Sequence, residues 1–294
     1  MSSKVLSLLI FLASLVSKSN AGLIVVYWGQ GNRETEGTLT ETCNSGLYRI
    51  VNIAFLYKFG NGKKPEINLA GHCDPASNGC QIVSKGIHNC QSQGIKVLLS
   101  IGGATGPYSL SSADEARSVA EYIWKNFLGG QSNSRPLGDA VLDGVDFDIE
   151  IGGGAYYADM AGKLNELSAG RALLTAAPQC PFNDRLKGAL STGLFQYVWV
   201  QFYNNHAANC EFESGNPGFF QSSWSMWTSI NAHKIFVGVP ASPAKAGSGY
   251  VDPQTFKTQV LPFVQKSGKY GGVMVWNRAG DKAAGFSSNI KDRV

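Results

Sequence analysis

The chain alternates between short apolar runs and longer segments in which polar residues predominate. Each run is rich in β-branched or aromatic residues and ends at a small or polar residue, which is the pattern of a buried strand. The runs are Leu23 to Trp28, Ile50 to Leu56, Lys96 to Ile101, Gly144 to Ile149, Ala172 to Ala177, Tyr197 to Tyr203, Lys234 to Val239 and Gly272 to Trp276. The pattern therefore predicts eight strands.

Several of the segments between these runs have helical spacing. The clearest is Ser112 to Phe127, which opens with a Ser-x-x-Glu capping box at Ser112 and Glu115. No linker or shift in composition divides residues 22–294, so we expect one domain. Eight strands that alternate with helices predict a (β/α)8 TIM barrel. A doubly wound open sheet is the alternative, but it usually has fewer strands, and no G-x-G-x-x-G follows the first predicted strand.

The predicted fourth strand carries four acids in eight residues, D-G-V-D-F-D-I-E at 143–150. Because side chains alternate along a strand, Asp146, Asp148 and Glu150 share one face, and Asp143 at the start has the opposite parity. In a barrel this face lines the interior, and active sites collect at the C-terminal strand ends. Isolated buried carboxylates destabilise a fold, so packing alone does not explain these three.

Two structural interpretations of the acids fit less well. A solvated edge strand would carry charges toward water, but the opposite face of this strand is strongly apolar. A metal site would need the carboxylates to converge, whereas positions i and i+4 of a strand lie about 13 Å apart and Mg²⁺ holds its ligands at about 2.1 Å. A calcium loop that began at Asp146 would need glycine where Ile151 stands. We therefore expect no metal and no cofactor.

Acid–base chemistry at the barrel mouth remains, with Glu150 as the proton donor. Neighbouring carboxylates separate one another's pKa values, so one can keep its proton near neutral pH while the next is ionised. A retaining glycosidase of the ordinary kind also needs a second carboxylate about 5 to 5.5 Å away across the bond, and an inverting one needs a base farther off. The ends of the other predicted strands carry no acid. For glycoside cleavage we therefore expect the nucleophile to come from the substrate, for example from a 2-acetamido group.

Charge and composition favour an exported protein with an uncharged partner. Residues 1–21 combine Lys4, an apolar run from Val5 to Val16 and Ser19-Asn20-Ala21, which predicts a secretory signal peptide. Without that segment 23 basic and 21 acidic residues remain, and no basic run favours a nucleic acid or an anionic lipid. No later stretch approaches the roughly 20 apolar residues that span a membrane. A neutral polymer fits this chain better.

The cysteine count points to disulfides. Six cysteines in an exported chain allow 15 pairings, among which the residues alone do not choose. They are Cys43, Cys73, Cys80, Cys90, Cys180 and Cys210. Zinc is the weaker interpretation, because the chain has no C-x-x-C and its four histidines lack ligand spacing.

Eight blocks of sequence, taken in order, carry a resemblance to a known family. They are YWGQ at 27–30, VNIAFL at 51–56, INLAGHC at 67–73, LLSIGG at 98–103, RPLGDAVLDGVDFDIE at 135–150, LTAAPQCPF at 174–182, YVWVQFYNN at 197–205 and KYGGVMVW at 269–276. Together they resemble the plant class III chitinases of glycoside hydrolase family 18. The resemblance covers essentially all of residues 22–294, and its D-x-x-D-x-D-x-E signature is specific on its own.

The resemblance implies four catalytic residues and a substrate-assisted reaction on chitin and N-acetylglucosamine oligomers. Glu150 is implied to protonate the glycosidic oxygen, and Asp148 to orient the acetamido nitrogen while the acetamido oxygen attacks the anomeric carbon. Asp146 is implied to tune Asp148 from behind, and Tyr203 to hold the acetamido oxygen. Retention of configuration follows.

The resemblance also implies substrate-binding residues and disulfide partners. Tyr27, Gln30, Gln201 and Trp276 match positions that line the sugar cleft, with Trp276 as the apolar floor. Composition alone would favour core packing for Trp276, whereas Tyr203 would equally fit a buried tyrosine with a satisfied hydroxyl. The implied disulfides are Cys43 with Cys90, Cys73 with Cys80, and Cys180 with Cys210.

Two classes of function follow. The first is a secreted, monomeric endochitinase of the apoplast, with lysozyme side activity and a role in defence against fungi. The second is a lectin, enzyme inhibitor or storage protein on the same barrel, since a fold does not fix a function. Such relatives usually lose the acid or block the cleft, whereas all four implied catalytic residues are present here. The sequence therefore favours the enzyme.

Overall fold

Eight parallel strands pair side by side and close into a barrel in the computed structural model, which describes residues 22–294. The strands are β1 (Leu23–Trp28), β2 (Ile50–Gly60), β4 (Lys96–Gly103), β5 (Gly144–Ile149), β6 (Leu173–Ala176), β7 (Tyr197–Gln201), β8 (Lys234–Pro240) and β9 (Tyr270–Trp276). Pairing of β1 with both β2 and β9 closes the cylinder. The predicted single-domain (β/α)8 barrel is confirmed. The predicted signal peptide, residues 1–21, lies outside the described residues.

One strand of the sheet was not predicted. β3 (Lys63–Ile67) runs antiparallel to the end of β2, after a turn in which Asn61 and Gly62 have φ values of 51° and 70°. Its sequence, K-K-P-E-I, is charged and contains proline, which is typical of a loop or an edge strand. Pairing with β3 carries β2 on to Gly60, beyond the predicted end at Leu56.

Other strand ends also differ from the prediction. β6 is shorter than the apolar run that predicted it, and β7 ends at Gln201, so Tyr203 lies just beyond the strand. β4 continues through Gly102 and Gly103. At Gly102 φ is +104°, and an added Cβ would lie 2.2 Å from the Asp148 carbonyl oxygen. This glycine therefore lets β4 approach β5 where the acids stand.

Helices surround the barrel. They are α1 (Arg33–Glu36), α2 (Leu39–Asn44), α3 (Ser84–Ser92), α4 (Ala113–Phe127), α5 (Tyr157–Ser168), α6 (Lys187–Leu190), α7 (Gly218–Trp227), α8 (Pro253–Thr255), α9 (Leu261–Val264), α10 (Arg278–Ala284) and α11 (Phe286–Ile290). Short 3₁₀ segments stand at Ala70–His72, Pro75–Ser77, Gly79–Val83, His206–Ala208 and Pro243–Lys245, and a π-helical turn stands at Phe256–Val260.

The predicted helix from Ser112 to Phe127 is α4, and half of its predicted capping box forms. The Ser112 hydroxyl accepts the Glu115 N–H at 3.1 Å. The Glu115 carboxylate instead accepts the N–H groups of Ser111 at 2.7 Å and Gly62 at 2.9 Å. Glu115 therefore ties the start of α4 to the β2–β3 turn.

Apolar side chains form two layers of core. The larger layer fills the space between the strands and the helices, and a smaller cluster fills the inside of the barrel. Members of the inner cluster are Val25, Tyr27, Leu98, Trp199, Phe236 and Met274. The inner cluster forms a floor beneath the barrel mouth.

Three disulfides join the cysteines in the pairing that the resemblance implies. Cys43–Cys90 joins α2 to α3, and Cys73–Cys80 closes a small loop ahead of α3. Cys180–Cys210 joins the loop after β6 to the loop after β7.

Candidate active site

Asp146 is the deepest of the three acids on the interior face of β5. It has no exposed surface, and its carboxylate accepts hydroxyl hydrogen bonds from Tyr27 at 2.7 Å, Ser100 at 2.7 Å and Thr175 at 2.9 Å. The Tyr27 hydroxyl in turn accepts the Trp199 indole N–H at 2.9 Å. Burial raises the pKa of Asp146 to about 6, although the hydroxyl donors act in the opposite direction.

Asp148 and Glu150 form a coupled pair above Asp146. The Gln201 amide donates to Asp148 at 2.9 Å, and the Gln179 amide donates to Glu150 at 3.1 Å. Burial raises the pKa of both carboxyls, and the charges of Glu150 and Asp146 raise that of Asp148 further. The hydrogen bond between the pair raises the pKa of Asp148 and lowers that of Glu150. Burial and mutual repulsion therefore favour one proton held between the two carboxyls of the free protein.

Tyr203 lies close to this column of acids, although it follows the end of β7. Its side chain is buried, and burial raises its pKa well above the ordinary value. The charges of Glu150, Asp148 and Asp146 raise the pKa of Tyr203 further, so all three carboxyls lie near enough to act on the phenol. The phenol therefore keeps its proton and can donate a hydrogen bond.

Two of the four predicted substrate-binding residues, Tyr27 and Gln201, contact the acids directly. Trp276 is half-buried, with its ring centre 5.5 Å from that of Tyr27. Tyr27 and Gln201 are buried, and their polar groups hold Asp146 and Asp148. The Gln30 amide donates to the carbonyl oxygens of residues 54 and 68, at 2.8 and 3.0 Å. Their contacts with a sugar stay predictions.

Several residues that hold the acids were not predicted. Ser100 and Thr175 are the direct partners of Asp146 on the neighbouring strands, so the sheet register could have identified them. The Tyr108 hydroxyl accepts the N–H groups of Glu150 at 3.0 Å and of Ile151 at 3.1 Å, and it donates to the Gly103 carbonyl at 2.6 Å. Tyr108 follows β4 in a loop, where no sequence pattern indicates its direction.

A further acid, Asp184, lies near the pair. It lies in the loop after β6, beyond the predicted strand end, which itself carries no acid. It is half-buried, and its charge adds to the effect of burial on Asp148 and Glu150. Its oxygens accept the backbone N–H groups of Gln179 at 3.1 Å and Leu186 at 2.8 Å. Asp184 is thus held by backbone on both oxygens.

Asp143, the first acid of the signature, lies at the other end of the strand. Its carboxylate accepts the Val97 N–H at 3.0 Å, the Lys96 ammonium at 2.8 Å and the Gln91 amide at 3.0 Å. These contacts join the starts of β4 and β5 at the barrel bottom. The first acid of D-x-x-D-x-D-x-E is therefore structural.

The described residues contain neither a cluster of metal ligands nor a helix suited to a membrane. Within residues 22–294, no group of three or more His, Cys, Asp or Glu side chains is arranged to hold a metal ion. No helix in the same range has the length and apolar character that crossing a membrane requires.

Known proteins match this chain over nearly its whole length. Residues 23–249 match Glycosyl hydrolases family 18. A basic endochitinase of Nicotiana tabacum is 59% identical over 288 residues, which are 97% of this chain and 96% of the relative. The crystal structure of a chitinase from Ipomoea carnea superposes with a TM-score of 0.88 at 47% identity, covering 93% of this chain and all of that one.

The same fold also occurs in proteins with other names. A xylanase and α-amylase inhibitor protein from Scadoxus multiflorus has a TM-score of 0.86 at 41% identity, and the match covers 93% of this chain and 99% of that chain. The barrel alone therefore does not distinguish an enzyme from an inhibitor. The family match and the full-length relatives nevertheless show that the chain belongs to glycosyl hydrolases family 18.

Proposed function

We propose that this protein is an endochitinase that cleaves β-1,4 bonds between N-acetylglucosamine units with retention of configuration. Its family and the names of its full-length relatives support the substrate. The observation that carries the mechanism is the column of Asp146, Asp148 and Glu150, which rises from the sealed interior of the barrel to its mouth.

The first chemical step begins with the proton that the pair holds. When the acetamido N–H of the bound sugar donates to Asp148, the shared proton moves to Glu150. Glu150 gives this proton to the glycosidic oxygen while the acetamido oxygen attacks the anomeric carbon, and the bond to the departing sugar breaks. The resulting oxazolinium is positively charged, and the Asp148 carboxylate stabilises it.

The second step returns the protein to its starting state. Water attacks the anomeric carbon from the face that the departing sugar occupied, and the Glu150 carboxylate accepts its proton. The carbon–oxygen bond to the acetamido group breaks, so the acetamido group is restored. Two displacements at the same carbon retain its configuration. Tyr203 supports both steps by donating its hydroxyl hydrogen bond to the acetamido oxygen.

The substrate supplies the nucleophile in this scheme because the nearby acid is unsuited to the task. Asp184 is an acid from outside β5 whose charge acts on both Asp148 and Glu150. Its two oxygens accept backbone N–H groups, which hold it in the loop after β6. A nucleophilic carboxylate must reach the anomeric carbon, and turning Asp184 toward it would leave both N–H groups unpaired.

We further propose that the protein is secreted to the apoplast as a monomer, after removal of residues 1–21. Three disulfides support an oxidising compartment. Lysozyme side activity would follow from the N-acetylated sugars that peptidoglycan shares with chitin, and defence against fungi from the chitin of their walls.

The Glu150→Gln variant tests the proposal. It keeps the size of the side chain but removes the proton donor, so turnover of chitin oligomers should fall by about 10²- to 10⁴-fold with oligomer binding retained. Turnover and binding are measured on the same preparations beside the wild type. A chitin-binding lectin or an enzyme inhibitor on this barrel would instead bind without turnover in both proteins.

A further inference from the structure

The segment that follows β6 holds the proton donor from the side. The Gln179 side chain donates its amide N–H to Glu150 Oε2 at 3.1 Å. A parallel bridge pairs Gln179 with Gln201, whose own amide donates to Asp148 at 2.9 Å. Two adjacent glutamine amides therefore hold the pair of acids, with Gln179 on Glu150 and Gln201 on Asp148, and Gln201 also acts on Glu150.

Gln179 is fixed more firmly than an ordinary loop residue. The Gln201 N–H donates to the residue 178 carbonyl at 2.8 Å, and the Cys180 N–H donates to the Gln201 carbonyl at 3.1 Å. The Gln179 N–H itself donates to the Asp184 carboxylate at 3.1 Å. The Cys180–Cys210 disulfide closes the same segment on its other side. A backbone restrained in this way leaves the Gln179 amide little choice of direction.

We propose that Gln179, anchored by Asp184, is a positioning residue that keeps the Glu150 carboxyl directed at the bond to be cleaved. The proposal rests on the proposed function, in which Glu150 is the proton donor. A glutamine suits this role because its amide donates a hydrogen bond without adding a charge. Asp184 suits the anchoring role because a carboxylate can accept two backbone N–H groups at once.

Other ionisable groups lie around Glu150 and also affect its pKa. Asp148 from β5, Asp184 from the loop after β6 and Tyr108 from the loop after β4 all face it. Tyr203, which follows β7, is also affected by the charge of Glu150. Burial raises the pKa of Glu150, and hydrogen bonds with Asp148, Gln201 and Gln179 lower it. Loss of the Gln179 amide should therefore raise the pKa of Glu150.

The first experiment measures turnover. In Gln179→Leu, kcat on a chitin hexamer should fall about tenfold to a hundredfold, with KM changed by less than about twofold, because a hydrogen bond to a reacting group is lost. The alkaline limb of the pH profile should move to higher pH. Gln131→Leu, at an exposed glutamine, is the matched control and should match the wild type.

A double variant then tests the anchoring role. If Asp184 also acts through Gln179, Asp184→Asn should lower kcat by a smaller factor in Gln179→Leu, where only its charge is lost, than in the wild type, where its anchoring contact is lost too. Asp184→Asn by itself should lower kcat. Losses that multiply in the double variant would overturn the anchoring role.

Direct titration of Glu150 keeps the test independent of turnover. With ¹³C-labelled glutamate, the carboxyl resonance assigned by its loss in Glu150→Gln should titrate at higher pH in Gln179→Leu than in the wild type. A titration that is unchanged or moves to lower pH would overturn the proposal, even if the wild type proved inactive on chitin. Inactivity of the wild type with the expected titration shift would contradict only the proposed function.

Discussion

Asp146 shows how one buried carboxylate can make the stability of this fold depend on pH. Its pKa of about 6 in the folded protein exceeds the ordinary value of about 3.9, because burial disfavours the ionised form. Between these two values the folded state binds more protons than the unfolded state. Through this group, the free energy of unfolding therefore falls as pH rises from about 4 to about 6.

Asp146→Asn should remove this pH dependence. A pKa of about 6 in the folded state, against about 3.9 in the unfolded state, corresponds to about 3 kcal/mol. The unfolding free energy of the wild type, relative to that of the variant, should therefore fall by up to about 3 kcal/mol between pH 4 and pH 7. Urea denaturation of both proteins at a series of pH values measures this. A difference in unfolding free energy that stays constant, or that increases toward pH 7, would contradict the raised pKa.

Residue by residue, the sequence predicted the acids better than their partners. Strand periodicity alone places Asp146 and Asp148 on one interior face, because alternation is a property of any strand. Ser100 and Thr175 needed the register between strands, which a single sequence does not provide. Tyr108 and Asp184 lie in loops, where side-chain direction depends on tertiary contacts rather than on a period.

At the scale of elements, β5 has different tasks at its two ends. Asp143 joins strand starts at the barrel bottom, while the acids at the top face the mouth. This division agrees with the general rule for TIM barrels, in which one end stabilises and the other reacts. The β2–β3 hairpin could not be predicted in the same way, because its second strand is an edge strand with charged residues and a proline.

Glu115 connects that hairpin to α4, and Glu115→Gln tests the connection. The N–H groups of Asn61, Gly62 and Ser111 lower the pKa of Glu115 to about 2, below its unfolded value of about 4.3. The Glu115 charge should therefore stabilise the fold above about pH 4.3, and this stabilisation should vanish as pH falls toward 2. For a carboxylate at a helix start we expect about 0.5–1 kcal/mol. Denaturant unfolding at pH 7 and pH 2 checks it; equal differences between wild type and variant at both pH values would refute the link.

The whole molecule depends on cross-links of unequal length. Cys43–Cys90 spans 47 residues and Cys73–Cys80 spans 7, so the first restricts the unfolded chain more. Paired serine substitutions should lower the unfolding free energy by about 4 kcal/mol for the long link and about 2 kcal/mol for the short one. Thermal and denaturant unfolding of the two double variants gives the order. A larger loss from Cys73/Cys80→Ser would contradict it.

The barrel of this chain also occurs in proteins with different functions. Chitinases and an inhibitor protein share its barrel at similar TM-scores, so the architecture predicted from eight apolar runs could not by itself identify an enzyme. The proposed activity rests instead on the acids of β5 and on the groups that set their protonation. Substrate assistance is the mechanism that we propose for this site.

The stereochemistry of freshly released products is the decisive test of substrate assistance. A chitin hexamer is incubated with the protein, and the anomers of the new reducing ends are resolved by proton NMR or fast chromatography before they equilibrate. Two displacements at the anomeric carbon predict that the new ends appear first as the β-anomer. Products that appear first as the α-anomer would show a single displacement by water and would contradict attack by the acetamido group.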